Sequence, residues 1–543
     1  MNEEAIQNNS ALDRFGGYAF YAGVLLTAFS MPLWNLGMSL GQFVMAGGWL
    51  LAGGLTPRLL RAFRQPVFWL LSALFFIHLA GLWNTEDMKY AMKDIRVKLP
   101  LLLMPLLIAA GPSLTLKQVR IVLYALMAGV LVSTAAGLIA WLGLAGPPVR
   151  DYRDLSLFIS HIRLSLLLDF SLVAALWLST LAENRKWKPV LYLYAAWSLF
   201  FLVLLQSLTG IALLFILLVA GALWRMFRPG GAGVRMAAAL LVLGVGLAGT
   251  AVYKMIFIDS IREIQVEESE LKTFTARGNP YKNNWSLKDA EQGRYIWMQY
   301  NDLEMDTAWQ QRSRQSVWEN DQQGHMQLVT LARYLTYKGF SKDAAGIAQL
   351  SEEDVQNIEA GYPTPEYVSG KYSILFRLRE LANEYRNYYY NGYASGHSLA
   401  QRLEYWKTAS WIIGQHRVAG VGTGDVPAAF QEAYNDRFST LSQEWRLRAH
   451  NQYLSFAVAF GWPGLFLLLA VLIFCLRLAF QRRDVLYLSF LLIAAGSFFG
   501  EDTLETQAGV TFFAFLNGIL LFGSPVPGEN GRIVSQRSLP EEG

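Results

Sequence analysis

The feature that most constrains this chain is its set of apolar runs, several of them near twenty residues, the length of helix that crosses a hydrocarbon layer. RIVLYALMAGVLVSTAAGLIAW and MAAALLVLGVGLAGTAVY are two of them. Inside a bilayer every backbone amide must find a partner within the protein, and a helix supplies one for each residue. The fold class expected is therefore an all-α polytopic membrane protein. Composition agrees, with 53% hydrophobic and 16% charged residues over 543 positions. Twelve transmembrane helices are expected, centred near Leu26, Met45, Phe75, Met104, Met127, Val173, Trp197, Ile216, Leu243, Leu467, Leu491 and Phe515.

Charge sets the orientation. One set of alternate loops holds Arg58, Arg61 and Arg64, then Lys117 and Arg120, Arg185 to Lys188, Arg225 to Arg235, and Arg477 to Arg483. The other set is mixed or acidic: TEDMKYAMKDIRVK around Asp87, RDYRD from Arg150, and EDTLE from Glu501. The positive-inside rule makes the first set cytoplasmic and puts both termini there. The net charge of +4 is spread over these loops and points to no nucleic-acid partner. The acidic N-terminus lacks the basic region and cleavage site of a signal peptide, so the first helix is expected to stay in the mature protein. The single cysteine, Cys475, forms no internal disulfide.

The expected organisation is a nine-span membrane region over 1–258, a large, mainly helical periplasmic loop domain over 259–449, three spans over 450–525, and a cytoplasmic tail over 526–543. Within the loop, HMQLVTLARYLTYKGF and SEEDVQNIEAGY read as a helical pair, and SILFRLRELANEYRNYYYNGY as a further helix. A loop this long forms a domain or a functional lid.

Charged groups at the outer mouths of spans are the candidates for chemistry, because charge at membrane depth is costly. SHIRLSLLLD places His161 and Arg163 at the mouth of the sixth span, with Asp169 deeper. SGHSLAQRLEYWKTA puts Arg402 and Trp406 on one helix face. GVGTGDVPAAF suggests a phosphate-cradling loop, but no lysine followed by serine or threonine continues it, so a tight turn is the better reading. RLRAHNQYL sets Arg448, His450 and Asn451 at the start of an apolar helix, whose N-terminus favours anions. An imidazole there can accept a proton near neutral pH. No DxD near the outer mouths, no HExxH and no clustered Cys and His indicate a metal or other cofactor.

In order and combination, Arg402-x3-Trp406, Gly420-x-Gly422-x-Gly424, and His450-Asn451-x2-Leu454-x6-Gly461-x2-Gly464 resemble the O-antigen ligase and polymerase superfamily. The segments His161 to Arg163 and Ser207 to Gly210 are similar to its pattern too. The middle of the loop, about 275–393, is not covered. The resemblance implies a metal-independent glycosyltransferase of the bacterial inner membrane. Its active site would face the periplasm, its donor would be an undecaprenyl-pyrophosphate-linked glycan, and its acceptor lipid A-core. It implies His450 as general base, with Arg163 and Arg402 holding the pyrophosphate, a task suited to a guanidinium's paired donors. Arg448, His161, Lys98, Arg96 and Asn451 are expected as further substrate contacts. A polymerase or a protein O-oligosaccharyltransferase shares the donor and differs in the acceptor. A flippase or transporter of lipid-linked sugars would instead distribute charge along a central path through the spans, which are nearly free of it.

Overall fold

The computed structural model describes residues 11–146, 152–228, 231–367 and 374–523. Arg150 and Asp151 of the RDYRD loop and the 526–543 tail lie outside the described residues. The fold is helical, and a single two-residue hairpin, Ala290–Glu291 with Arg294–Tyr295, is the only strand pair among the described residues.

Every expected span centre falls inside a helix. By length and composition, seven of the described helices can cross a membrane, or eight if the pair Asn35–Leu51 and Leu55–Phe63, bent by 115°, counts as one span. Val485–Gly500 and Gln507–Phe522 are apolar but shorter, and Pro100–Ala109 has only 10 residues. The all-α, polytopic membrane architecture stands.

Two compact units divide the chain. One comprises 1–242, 405–437 and 447–543; the other comprises 243–404 and 438–446. This differs from the linear cut at 259 and 449, because the glycine-rich segment packs with the membrane helices instead of with the loop domain. The reason is a break in the Gln452–Gln481 helix. At Gly461 the backbone leaves helical geometry, with φ 64° and ψ −163°, and Pro463 follows. The carbonyls freed upstream are taken up by the glycine segment: Val421 N donates to Val458 O and Gly422 N to Ala459 O, both at 2.9 Å. Trp462 N in turn donates to Arg417 O at 2.8 Å. Gly420, with φ 68°, lies so close that a Cβ there would stand 2.3 Å from the Ala459 carbonyl carbon. The glycines thus serve close backbone approach, the condition under which broken helices are tolerated at membrane depth.

In the second unit, Gln327–Lys338 and Glu352–Glu359 form as the expected pair, around a core that includes Met305, Trp309, Leu331, Leu335 and Ile358. Ser351 and Asp354 close a capping box on the second helix, and Gly339 ends the first with φ 74°. The further helix forms over Ile374–Asn391.

Candidate active site

His450 sits in the left-handed region, φ 45°, at the turn before the Gln452–Gln481 helix. A non-glycine residue there needs outside support. Three groups give it. Asp502 accepts from the backbone on both sides of the turn, His450 N at 3.1 Å and Asn451 N at 2.9 Å, and from Ser455 Oγ at 2.8 Å. The indole of Trp406 donates to Ala449 O at 3.1 Å. Asn451, 4% exposed, caps the helix by accepting from Leu454 N at 3.1 Å and donates to Phe499 O at 3.0 Å. The half-buried imidazole itself lies against Tyr405, ring centroids 5.6 Å apart. The backbone of His450 is thus clamped, and its ring packs against Tyr405.

The same acidic loop governs the neighbouring cations. Glu505 accepts from Lys98 Nζ at 2.6 Å, from Arg448 at 3.1 Å and from Gln452 Nε2 at 2.9 Å. Burial pushes its carboxyl up, but Lys98 and Arg448 beside it prevail and hold it well below the usual carboxylate range. Burial likewise pushes Asp94 up, to about 6, against the pull of Lys98 and with the help of Glu505. Arg448 is held above its ordinary value: burial lowers it, and Glu505 more than restores it. Lys98 is fully buried, and its ammonium also donates to Leu504 O at 2.6 Å and pairs with Asp94 at 3.5 Å. Lys98, expected as a phosphate contact, is thus engaged inside the protein by Glu505, Leu504 and Asp94. Arg96, on the same Met88–Lys98 helix, is exposed.

His78, 3% exposed, shares a small cavity of mixed lining with Asp94, Thr423, Arg448, Ser455 and Glu505 beside Val426 and Phe460. Its Nδ1 lies 2.7 Å from Leu74 O, and its ring packs edge-on against Phe456 and Phe460.

Arg163 is half-buried on the His161–Leu181 helix and lines a mainly apolar groove with Met31, Leu166, Leu167, Thr503 and Phe512. The charge of Glu501, from the 501–505 loop, acts on its guanidinium. The Ser207 to Gly210 segment fixes this helix from the side. Ser207 Oγ donates to Ser165 Oγ at 3.0 Å, and a Cβ on Gly210 would stand 2.6 Å from that of Ser165. His161 packs edge-on against Tyr152 at 6.3 Å. Asp169 is fully buried, with neither carboxylate oxygen hydrogen-bonded among the described residues.

The 501–505 loop therefore joins the parts. Asp502 holds the His450 turn, the adjacent Thr503 lines the Arg163 groove, and Glu505 holds Arg448 and Lys98. Arg402 lies half-buried on the Ser398–Gln415 helix, in the second unit. Sequence reading singled out His450, Asn451 and Arg163 but treated EDTLE as a topological marker. Its excess of carboxylates beside a basic cluster was the one available signal for Asp502 and Glu505. His78, a lone histidine in an apolar run, gave none.

Residues 365–469 match a protein-family model described as O-Antigen ligase. The match contains the Arg402–Trp406, Gly420–Gly424 and His450–Gly464 motifs and begins inside the segment those motifs leave uncovered. It supports the resemblance to the O-antigen ligase-like superfamily and, with the apolar helices, a multi-pass membrane protein with an O-antigen ligase or polymerase type of function. No curated protein matches the chain.

Proposed function

We propose that this protein transfers O-antigen polysaccharide from undecaprenyl pyrophosphate to lipid A-core oligosaccharide at the periplasmic face of the bacterial inner membrane. The observation that carries the reading is the convergence on the 501–505 loop. A clamped histidine and a half-buried guanidinium at an apolar groove, within the field of Glu501, meet there through consecutive residues, Asp502 and Thr503. A prenyl-linked pyrophosphate has the matching parts, an apolar chain and a dense negative charge.

His450 removes the proton from the acceptor hydroxyl as its oxygen attacks the anomeric carbon. The bond to the pyrophosphate oxygen breaks on the opposite face, and its electron pair leaves with the pyrophosphate, which inverts the centre. Arg163 and Arg402 take up the growing charge, and a guanidinium does so with two parallel donors. Because the leaving group is already stable as an anion, one base suffices and neither general acid nor metal is required. Arg448 is tethered by Glu505 and orients the approach to the turn; His161 and Asn451 flank the two contacts. Arg96 remains an exposed candidate for a second phosphate contact.

The alternative acceptors are a second lipid-linked repeat, as in a polymerase, or a protein. The lipopolysaccharide banding of a deletion strain separates them. Loss of the whole ladder with core retained is the ligase result. Retention of single-repeat bands makes the enzyme a polymerase, and an unchanged ladder removes lipopolysaccharide from the account.

A further inference from the structure

The Ile374–Asn391 helix is built inside out. Its polar face points into the second unit. Glu384, 9% exposed, accepts from Leu399 N at 3.0 Å; Glu380 pairs with Arg333 at 3.8 Å and bonds Tyr367; Asn383 reaches Glu291. The opposite face follows helical spacing through Leu375, Leu378, Ala382, Tyr385 and Tyr389; it is apolar, exposed at its two ends and half-buried at Leu378, Ala382 and Tyr385. Leu375 is 51% and Tyr389 57% exposed. Apart from Arg379, which is exposed beside the stripe and pairs with Glu366 at 3.7 Å, the charges of this helix are turned inward, and an apolar stripe turned outward does not match water on that side.

The stripe's position indicates what covers it. The apolar Ala232–Tyr253 helix has 22 residues, and at about 1.5 Å per residue it spans a hydrocarbon layer of about 30 Å. The candidate span as a whole runs Ala232–Asp259, so Tyr253 and Phe257 stand in its last turns. A chain of aromatic contacts runs from it directly onto the stripe: Tyr253 to Phe257 at 5.2 Å, Phe257 to Tyr385 at 4.8 Å, and Tyr385 to Tyr389 at 6.3 Å. Arg386 locks the two elements together. Its guanidinium donates to Ser260 O, Arg262 O and Lys288 O, at 2.5, 2.9 and 2.7 Å, and lies over the Tyr295 and Tyr390 rings. The stripe is thus tied to the end of a membrane span.

We infer that the Ile374–Asn391 helix lies in the lipid headgroup layer, its Leu375–Tyr389 stripe embedded at the acyl boundary, so that the second unit rests on the bilayer surface. Tyrosine suits that depth, with an apolar ring and a polar end, and amphipathic helices lie in the interface plane.

The test uses the full-length protein in lipid nanodiscs. With the sole cysteine removed as Cys475→Ser, Tyr389→Cys and, as an exposed control on the Glu352–Glu359 helix, Glu353→Cys are each labelled with an environment-sensitive fluorophore. Lipids carrying a nitroxide near the headgroup end of the acyl chain should quench the label at Tyr389→Cys and leave that at Glu353→Cys unchanged. A water-soluble quencher should do the reverse. Leu375→Cys, two turns or more away on the same face, should behave as Tyr389→Cys does, which guards against a local effect of either substitution. If both stripe positions are quenched from water as fully as Glu353→Cys, or are shielded only when free glycan is added, the stripe is not a lipid contact and the inference fails.

Discussion

At Asp502 one carboxylate accepts from the amides of two consecutive residues, and one of these, His450, has a backbone conformation that would otherwise be strained. Asp502→Asn replaces one of those acceptors by a donor and leaves a buried N–H unmatched. That costs about 1–3 kcal/mol, and if it falls on the placement of His450, turnover drops by about tenfold to a hundredfold with the donor KM little changed. A kinetic comparison of purified variants checks this; an equal rise in donor KM with unchanged kcat would assign Asp502 to binding instead. Arg163→Lys keeps the charge and loses the fork, so transfer should fall while the protein folds normally. Wild-type turnover in that variant would remove bidentate phosphate holding from the mechanism.

Among the elements, the broken Gln452–Gln481 helix and the glycine segment depend on each other. Gly420→Ala would force a side chain against the Ala459 carbonyl at a backbone angle that costs about 1–3 kcal/mol by itself, so the thermal midpoint in detergent should fall and activity with it. The 501–505 loop makes a pH prediction. Glu505 titrates lower in the folded protein than in the unfolded chain. Its contribution is therefore fully present above the ordinary glutamate value of about 4.3 and disappears as pH falls through the lower folded value. Thermal stability should decline on that acid limb, and Glu505→Gln should be less stable at pH 7 and lack that part of the decline, because it leaves Lys98 and Arg448 without their shared partner. An identical acid limb in both proteins would show that the cluster does not hold the loop.

For the whole molecule, what was legible in the sequence was what is written locally. Span centres follow from runs of apolar residues, and each lies in a helix. His450, Asn451 and Arg163 stood out because polar groups beside apolar runs are conspicuous. What was not legible is pairing at long range: Asp502 meets the His450 turn from beyond the Val485–Gly500 helix, and Lys98 is neutralised by a residue from the far end of the chain. A basic side chain read alone looks available whether or not a distant carboxylate engages it, as Glu505 engages Lys98. The orientation proposed from the basic loops predicts that a phosphatase reporter fused at Gly278 is active and one at Gly231 inactive; the opposite result would invert the topology. The most direct measurement of the central claim is single-turnover transfer by purified protein, wild type against His450→Ala, with undecaprenyl-pyrophosphate-linked glycan and lipid A-core. The account predicts that the variant binds donor nearly as wild type does and transfers it more slowly by about two to four orders of magnitude. Transfer at the wild-type rate per folded molecule would contradict it and return His450 to the role of a membrane flank.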